Sequence, residues 1–209
     1  MAKRARAAKR GAGAKEAPSG DAETRLLDAA LALAARQGWQ RTSFREIAAA
    51  AALPLHEVHR LYPSKMAVLD GFRRRIDRAA LAGAVNGSGE APRDRLFDVL
   101  MCRFEALRPH KAALRTILRD SLADPLMLLG AKPLLQSMIW MLEGAGISAA
   151  GWRGYVRASV LAALYLFVFR VFLEDDSADL TATMAALDRR LRRAESFLRL
   201  SDEASPATG

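Results

Sequence analysis

Residues 42–69 read TSFREIAAAAALPLHEVHRLYPSKMAVL, and the fold depends on how this stretch is parsed. Thr42-Ser43 followed by Arg45-Glu46 has the form of a capping box, in which Ser43 satisfies a free backbone N–H and Glu46 reaches back. A short helix over Phe44 to Ala51 follows, and its small residues, Ala48 to Ala52, let another helix approach closely at Leu53-Pro54. Pro54 suits the first turn of a second helix, Leu55 to Leu61, where its missing N–H costs nothing. Tyr62-Pro63-Ser64 ends that helix, and Ser64 caps a third that carries Met66, Leu69, Phe72 and Ile76 on one side. Two short helices with a tight connection describe a helix-turn-helix, whose second helix can enter a major groove.

Working outward, Asp21 is placed to cap an upstream helix. Its buried stripe, Leu26, Ala30 and Leu33, stops at Gly38, with Trp39 packed beneath. Downstream, AGAVNGSGEAP (residues 82–92) holds three glycines and a proline and marks a junction. Beyond it, periodicity predicts helices over Arg93 to Leu107, Pro109 to Leu122, Leu134 to Leu142, Ser148 to Leu173 and Ala178 to Leu200. Asp124-Pro125 opens a further piece that Gly130 and Pro133 interrupt, and Asp175-Asp176-Ser177 turns the chain. Leu180, Met184, Leu187, Leu191, Ala194 and Leu198 give the last helix a seam for a partner helix. No segment alternates as a strand for long, so the expected fold is all-α. The parts are a disordered basic tail (1–20), a helix-turn-helix head (21–81), a linker (82–92), a helical bundle (93–200) and a second tail (201–209).

The 209 residues, 51% hydrophobic and 26% charged, suffice for a real core. Thirty-two Lys and Arg against 23 Asp and Glu leave +9, which asks for an anionic partner. Six basic residues against Glu16 put +5 of that charge in the first 20 residues, either as an arm touching phosphates or as a solubilising tail. A lone cysteine, Cys102, excludes a disulfide framework and a cysteine-held metal cluster, and a reducing, cytoplasmic home is expected. The N-terminus has no apolar stretch to serve as a signal peptide. The longest apolar run, Ala158 to Phe169, falls short of the roughly 20 residues that cross a bilayer and reads as a core helix.

Over residues 22–75 the chain resembles the TetR family of bacterial transcription regulators. The likeness rests on the amphipathic first helix, Gly38-Trp39, Thr42-Ser43, Ile47-Ala48, Tyr62-Pro63-Ser64-Lys65 and Leu69. It implies a TetR-like architecture that binds double-stranded DNA as a homodimer through its last two helices. Thr42, Ser43 and Lys65 would touch the phosphate backbone, and residues between Leu55 and Arg60 would face base edges. Helix N-termini and a lysine suit phosphates, and Arg60 can pair with guanine while neutral histidine donates one hydrogen bond. The full expected DNA-binding set is Thr42, Ser43, Arg45, Leu55, His56, His59, Arg60, Tyr62 and Lys65. Two departures stand out: Ala52 replaces a turn glycine, and His56-Glu57-Val58-His59 replaces Gly-Thr-Leu-Tyr. Glu57 must point to solvent, pair with Arg60 or accept from cytosine. His59, in place of a phosphate-reaching tyrosine, should bind DNA better when protonated.

The second half is rich in large apolar residues, by default core, that can also enclose a cavity for a small apolar effector. Met101, Phe104, Leu107, Leu118, Trp140, Leu161 and Tyr165 are the candidate lining, with Met127, Met138, Tyr155, Phe169 and Phe172 beside them. Residues 93–198 also resemble, in patches such as DPL, WMLEGAGI and Asp175-Asp176-Ser177 through Arg189-Arg190, the lipid-binding accessory family of ubiquinone biosynthesis. That resemblance implies an alternative: an isoprenoid carrier with a degenerate head, in which the basic face of Arg189, Arg190, Arg192 and Arg193 lies on a membrane surface. The same arginines equally suit the exposed side of a dimer helix. His56 and His59 stand three apart with no third ligand near, so no metal site is expected. There is no phosphate loop, Gly-x-Ser-x-Gly elbow or carboxylate pair, so neither a cofactor nor an enzymatic activity is expected.

Overall fold

The computed structural model describes residues 19–84, 91–122 and 131–199. Residues 1–18 of the first tail, the second tail, residues 85–90 of the linker, the Asp124-Pro125 opening, Gly130 and Met127 lie outside these, as does the side chain of Leu198, whereas residues 19 and 20, expected in the tail, begin the first helix. The described residues form α1 (Ser19–Gln37), α2 (Phe44–Ala50), α3 (Leu55–Leu61), α4 (Lys65–Gly83) and α5 (Pro92–Leu107). A 3₁₀ turn, Arg108–His110, leads into α6 (Lys111–Leu122), followed by α7 (Ala131–Gly144), α8 (Gly151–Glu174) and α9 (Thr181–Arg199).

Local chemistry explains most of the boundaries. Ser43 caps α2 in a reciprocal capping box with Glu46, and the Ser64 hydroxyl accepts from Ala67 N at 3.1 Å to start α4. Gly38, at φ +91°, closes α1 in the left-handed conformation that glycine adopts without steric cost. Three expectations shift. Asp21 is not the cap of α1, which already begins at Ser19, and pairs instead with Arg25 at 3.1 Å. Pro54 is the N-cap of α3, with extended ψ of 146°, one position earlier than read from sequence. Pro133 does not interrupt the chain: it sits in the first turn of α7, where no intrahelical N–H is lost.

One core runs through head and body. Leu26, Leu27 and Ala30 of α1 meet Trp39, Ile47, Val58 and Tyr62 in the head. Leu96, Leu100, Phe104, Met138, Leu142, Val168 and Phe172 fill the body. Each Leu, Ile, Val, Phe or Met among these side chains contributes about 1.5–3 kcal/mol through burial. α4 joins the two regions, because Val68, Phe72, Ile76 and Ala80 are buried along its length while it packs against α1, α5 and α7. α6 lies on α1, where the Thr116 hydroxyl donates to Ala34 O at 2.9 Å. α8, with 24 residues, is long and apolar enough by composition to cross a membrane, but it packs against α6, α7 and α9.

Entry into α9 is fixed by Asp175, which is 5% exposed. Its carboxylate accepts from Ser177 N and hydroxyl and from Thr183 N and hydroxyl at 2.5–3.1 Å. Burial alone would raise this carboxyl, but the Ser177 and Thr183 bonds outweigh it and hold it well below the usual range.

Candidate nucleic-acid interface and effector cavity

The connection between α2 and α3 decides how α3 is presented. Ala52, exposed, takes φ +52°, so alanine occupies the left-handed position that glycine usually fills. Leu53 N–H donates to Ala48 O at 2.9 Å and Ala52 N–H to Ala49 O at 3.2 Å. These are the two bonds of a Schellman motif, and the Leu53 and Ala48 side chains are both buried. The turn geometry therefore survives the loss of its glycine at a cost in backbone strain.

Only Val58 of α3 is fully buried. Leu55, His56, His59 and Arg60 are exposed along one outer face, and Leu55 presents half of its surface to solvent, which no core requirement explains. Glu57 pairs with Arg60 at 3.4 Å, one of the three arrangements open to it. This keeps the carboxylate beside a cation on the presented face, while Arg60 remains 58% exposed. Ser43 and Arg45 stand exposed at the start of α2, close in sequence to the free N–H groups of that helix. All six of these residues are exposed, the Ser43 hydroxyl being held by Glu46 Oε2 at 2.7 Å.

Three expected contacts are not. Thr42 is 2% exposed, and its hydroxyl donates to Gly38 O at 2.8 Å. Tyr62 is 3% exposed, lies across Gly71 of α4 and donates to Glu23 Oε1 at 2.6 Å. Its hydroxyl is pushed up to about 12, by burial first and then by the Glu23 bond. A Cβ on Gly71 would fall 2.2 Å from the Tyr62 oxygen, so glycine there is what admits the ring. Lys65 folds back over Trp39, its Nζ 4.8 Å from the ring centroid, and donates to the carbonyls of Trp39, Gln40 (3.3 Å) and Thr42 (3.0 Å). Burial lowers its pKa, with Asp120 pulling the other way. Thr42, Tyr62 and Lys65 thus brace the head, and their side chains are not available to phosphate.

In the body, a cavity of about 300 Å³ lies between α4, α5, α6, α7 and α8. Of the expected lining, Leu107 and Tyr165 face it. Met101, Phe104 and Leu161 are buried in the core instead, and Leu118 is half-buried against that core. Trp140 is 53% exposed and borders a second, charged hollow with Arg74, Arg78 and Lys132. The two hollows share Asp70, Arg73 and Pro133. Sequence reasoning missed the α4 wall, Met66, Leu69, Phe72 and Ile76, because an apolar stripe reads as core whether it meets a neighbour or a void. It also missed Arg103. An arginine three residues after Leu100 and seven after Leu96, inside a buried stripe, was the visible sign.

Residues 26–71 match the family model of the bacterial regulatory proteins, tetR family. No curated protein matches the chain in sequence. Solved structures of similar fold include a TetR transcriptional regulator from Nitrosomonas europaea, with TM-score 0.68 and 23% identity over 83% of this chain and 98% of that one. A TetR regulator from Rhodococcus sp. RHA1 gives TM-score 0.60 and 20% identity over 83% and 95%. GusR of Salmonella enterica gives 0.55 and 20% over 88% and 98%.

Proposed function

Given a tetR-family segment in its head and the all-helical TetR fold throughout, we propose that this protein is a DNA-binding transcription regulator of one-component type, acting by binding rather than catalysis in the cytoplasm. The observation that carries the reading is the outward face of α3. Leu55, His56, His59 and Arg60 are exposed on a helix whose inner side is anchored by Val58. Arg60 and the two histidines address base edges, while Arg45 addresses phosphates; Ser43, whose hydroxyl donates to Glu46 at 2.7 Å, holds the start of α2 in place beside it.

Dimerisation through α8 and α9 completes the proposal. Val160 and Phe167 of α8 and Met184 of α9 are large apolar residues left exposed in the single chain. Arg190 stacks on Phe167 at 3.6 Å, and Arg192 pairs with Asp188 at 2.9 Å, so two of the α9 arginines are held against the helices themselves. A two-fold axis there places the two α3 helices in successive major grooves, about 34 Å apart. The effector occupies the body cavity. Since α4 lines that cavity and also carries the head, a ligand preferring one position of α4 shifts the spacing of the reading helices and hence the affinity for operator, as repression released by ligand requires.

A gel-shift titration with the promoter beside its own gene tests this. Retardation that weakens steeply with salt is expected. No retardation at micromolar protein removes the regulator reading. It would leave the second one, a carrier of apolar cargo, which the 300 Å³ cavity and the carboxylate of Glu57 on the presented helix favour. Co-purified isoprenoid in a solvent extract of the protein, with flotation on liposomes, would support that carrier.

A further inference from the structure

The cavity is apolar except at one end, where a buried ionic cluster forms part of its wall. Asp77 of α4 accepts from Arg73 Nη1 at 2.8 Å, from the Ser137 hydroxyl at 2.7 Å and from Arg103 Nε at 3.1 Å. Arg103 Nη1 in turn donates to the Tyr165 hydroxyl. The side chain of Arg103 is 6% exposed and Tyr165 3%, and both line the cavity.

This cluster is short of acceptors. Arg103 Nη2 and the Tyr165 O–H, on side chains more than nine-tenths buried, have no acceptor among the described residues and border the cavity. Donors that border a cavity are satisfied by an acceptor inside it, and a ligand oxygen fixed there would take the place of water. Burial pushes the Tyr165 phenol up, so it keeps its proton and stays a donor. Asp70, the nearest other carboxylate on the wall, is already held by Arg73 Nε and Nη2 and by Arg74. Beyond it, the adjoining hollow adds Arg78 and Lys132 against Glu23, so its basic groups outnumber its carboxylates by one, Arg73, Arg74, Arg78 and Lys132 against Glu23, Asp70 and Asp77. The site therefore offers donors and positive potential at one end and hydrocarbon at the other.

We propose that the ligand of this cavity is a single-chain amphiphile with a carboxylate head, held by Arg103 Nη2 and the Tyr165 O–H, and an apolar tail lying among Met66, Leu69, Ile76 and Leu107. The identification of the cavity as the effector site rests on the regulator reading above; the class of ligand rests on the cavity itself. At about 30 Å³ per chain carbon, the share of a water in the liquid, 300 Å³ takes a tail of roughly ten carbons. The carboxylate replaces missing acceptors without breaking the Asp77 bonds, and two charge-assisted hydrogen bonds select it over an alcohol of the same length.

The test is calorimetric titration of the full-length protein with decanoate and with 1-decanol, without DNA. Decanoate should bind once per protomer and at least tenfold tighter than decanol. Tyr165→Phe should weaken decanoate about five- to tenfold and leave decanol unchanged, a selectivity that mere loosening of the core would not produce. Arg103→Met should abolish the preference for the acid. If decanoate binds no tighter than decanol, if neither binds at 1 mM, or if Tyr165→Phe leaves the acid-to-alcohol ratio unaltered, the proposal is overturned. A negative titration leaves the DNA reading standing. Tight decanoate binding that fails to alter the gel shift keeps the ligand class and refutes the effector role.

Discussion

Replacing Ala52 with glycine should make the protein more stable, although it deletes a methyl and adds a flexible residue. At φ +52° the alanine Cβ crowds its own backbone, at a cost of about 1–2 kcal/mol that glycine does not incur. Against this, glycine widens the unfolded ensemble by about 0.4–1 kcal/mol. Ala52 is exposed, so no packing term enters. The net is a gain of about 0.5–1 kcal/mol. Urea unfolding followed by circular dichroism reads it as a midpoint shift of about 0.25–0.5 M, for a slope near 2 kcal/mol/M and fixed protomer concentration. Ala49→Gly supplies the opposing control. Ala49 is also exposed but helical, so glycine there should cost about 1 kcal/mol. If Ala52→Gly lowers the midpoint as Ala49→Gly does, the left-handed turn and the survival of the helix-turn-helix geometry without its glycine are both refuted.

Tyr62→Phe should cost about 1 kcal/mol in unfolding experiments and leave the DNA affinity of the folded protein within twofold, since its hydroxyl is spent on Glu23; a tenfold loss in the gel shift would return it to the interface. Gly71→Ala, which drives a Cβ into the Tyr62 ring, should destabilise by about 1–3 kcal/mol by urea midpoint. Arg45→Ala should reduce the slope of log affinity against log salt by about one, whereas Lys65→Met should lower stability and leave that slope alone. For Asp175, the folded carboxyl lies below its unfolded value near 3.9, so its stabilisation is full above about pH 4 and is lost as pH falls toward the folded value. Asp175→Asn should therefore cost about 1.5–3 kcal/mol at pH 7, and the gap to the parent protein should shrink below pH 4 in acid titrations of the urea midpoint.

Features set by neighbours in sequence were legible. The Ser43-Glu46 capping box, the Gly38 stop, the bounds of α3 and the Glu57–Arg60 pair all depend on residues within four positions, and propensity and capping rules see that far. What was misread depends on distant partners. Lys65 is drawn inward by carbonyls 23–26 residues away, and Tyr62 by Glu23, 39 positions earlier, so a pattern that marks them as polar and near a reading helix cannot tell a brace from a phosphate contact. The cavity was half legible for a related reason. Which apolar side chains meet each other and which face a void follows from how α4, α5 and α8 cross, and periodicity within one helix carries no record of that crossing.

The bracing of the head sets how far a small displacement travels. Lys65 and Tyr62, at the near end of α4, are tied to the α1–α2 loop and to α1, so α3 cannot hinge independently of the helix behind it. A helix of 19 residues is roughly 28 Å long, and a tilt of about 5° about its far end sweeps its near end through about 2.5 Å. With the head fastened to that end, a sweep of that size would be carried to α3 undiminished.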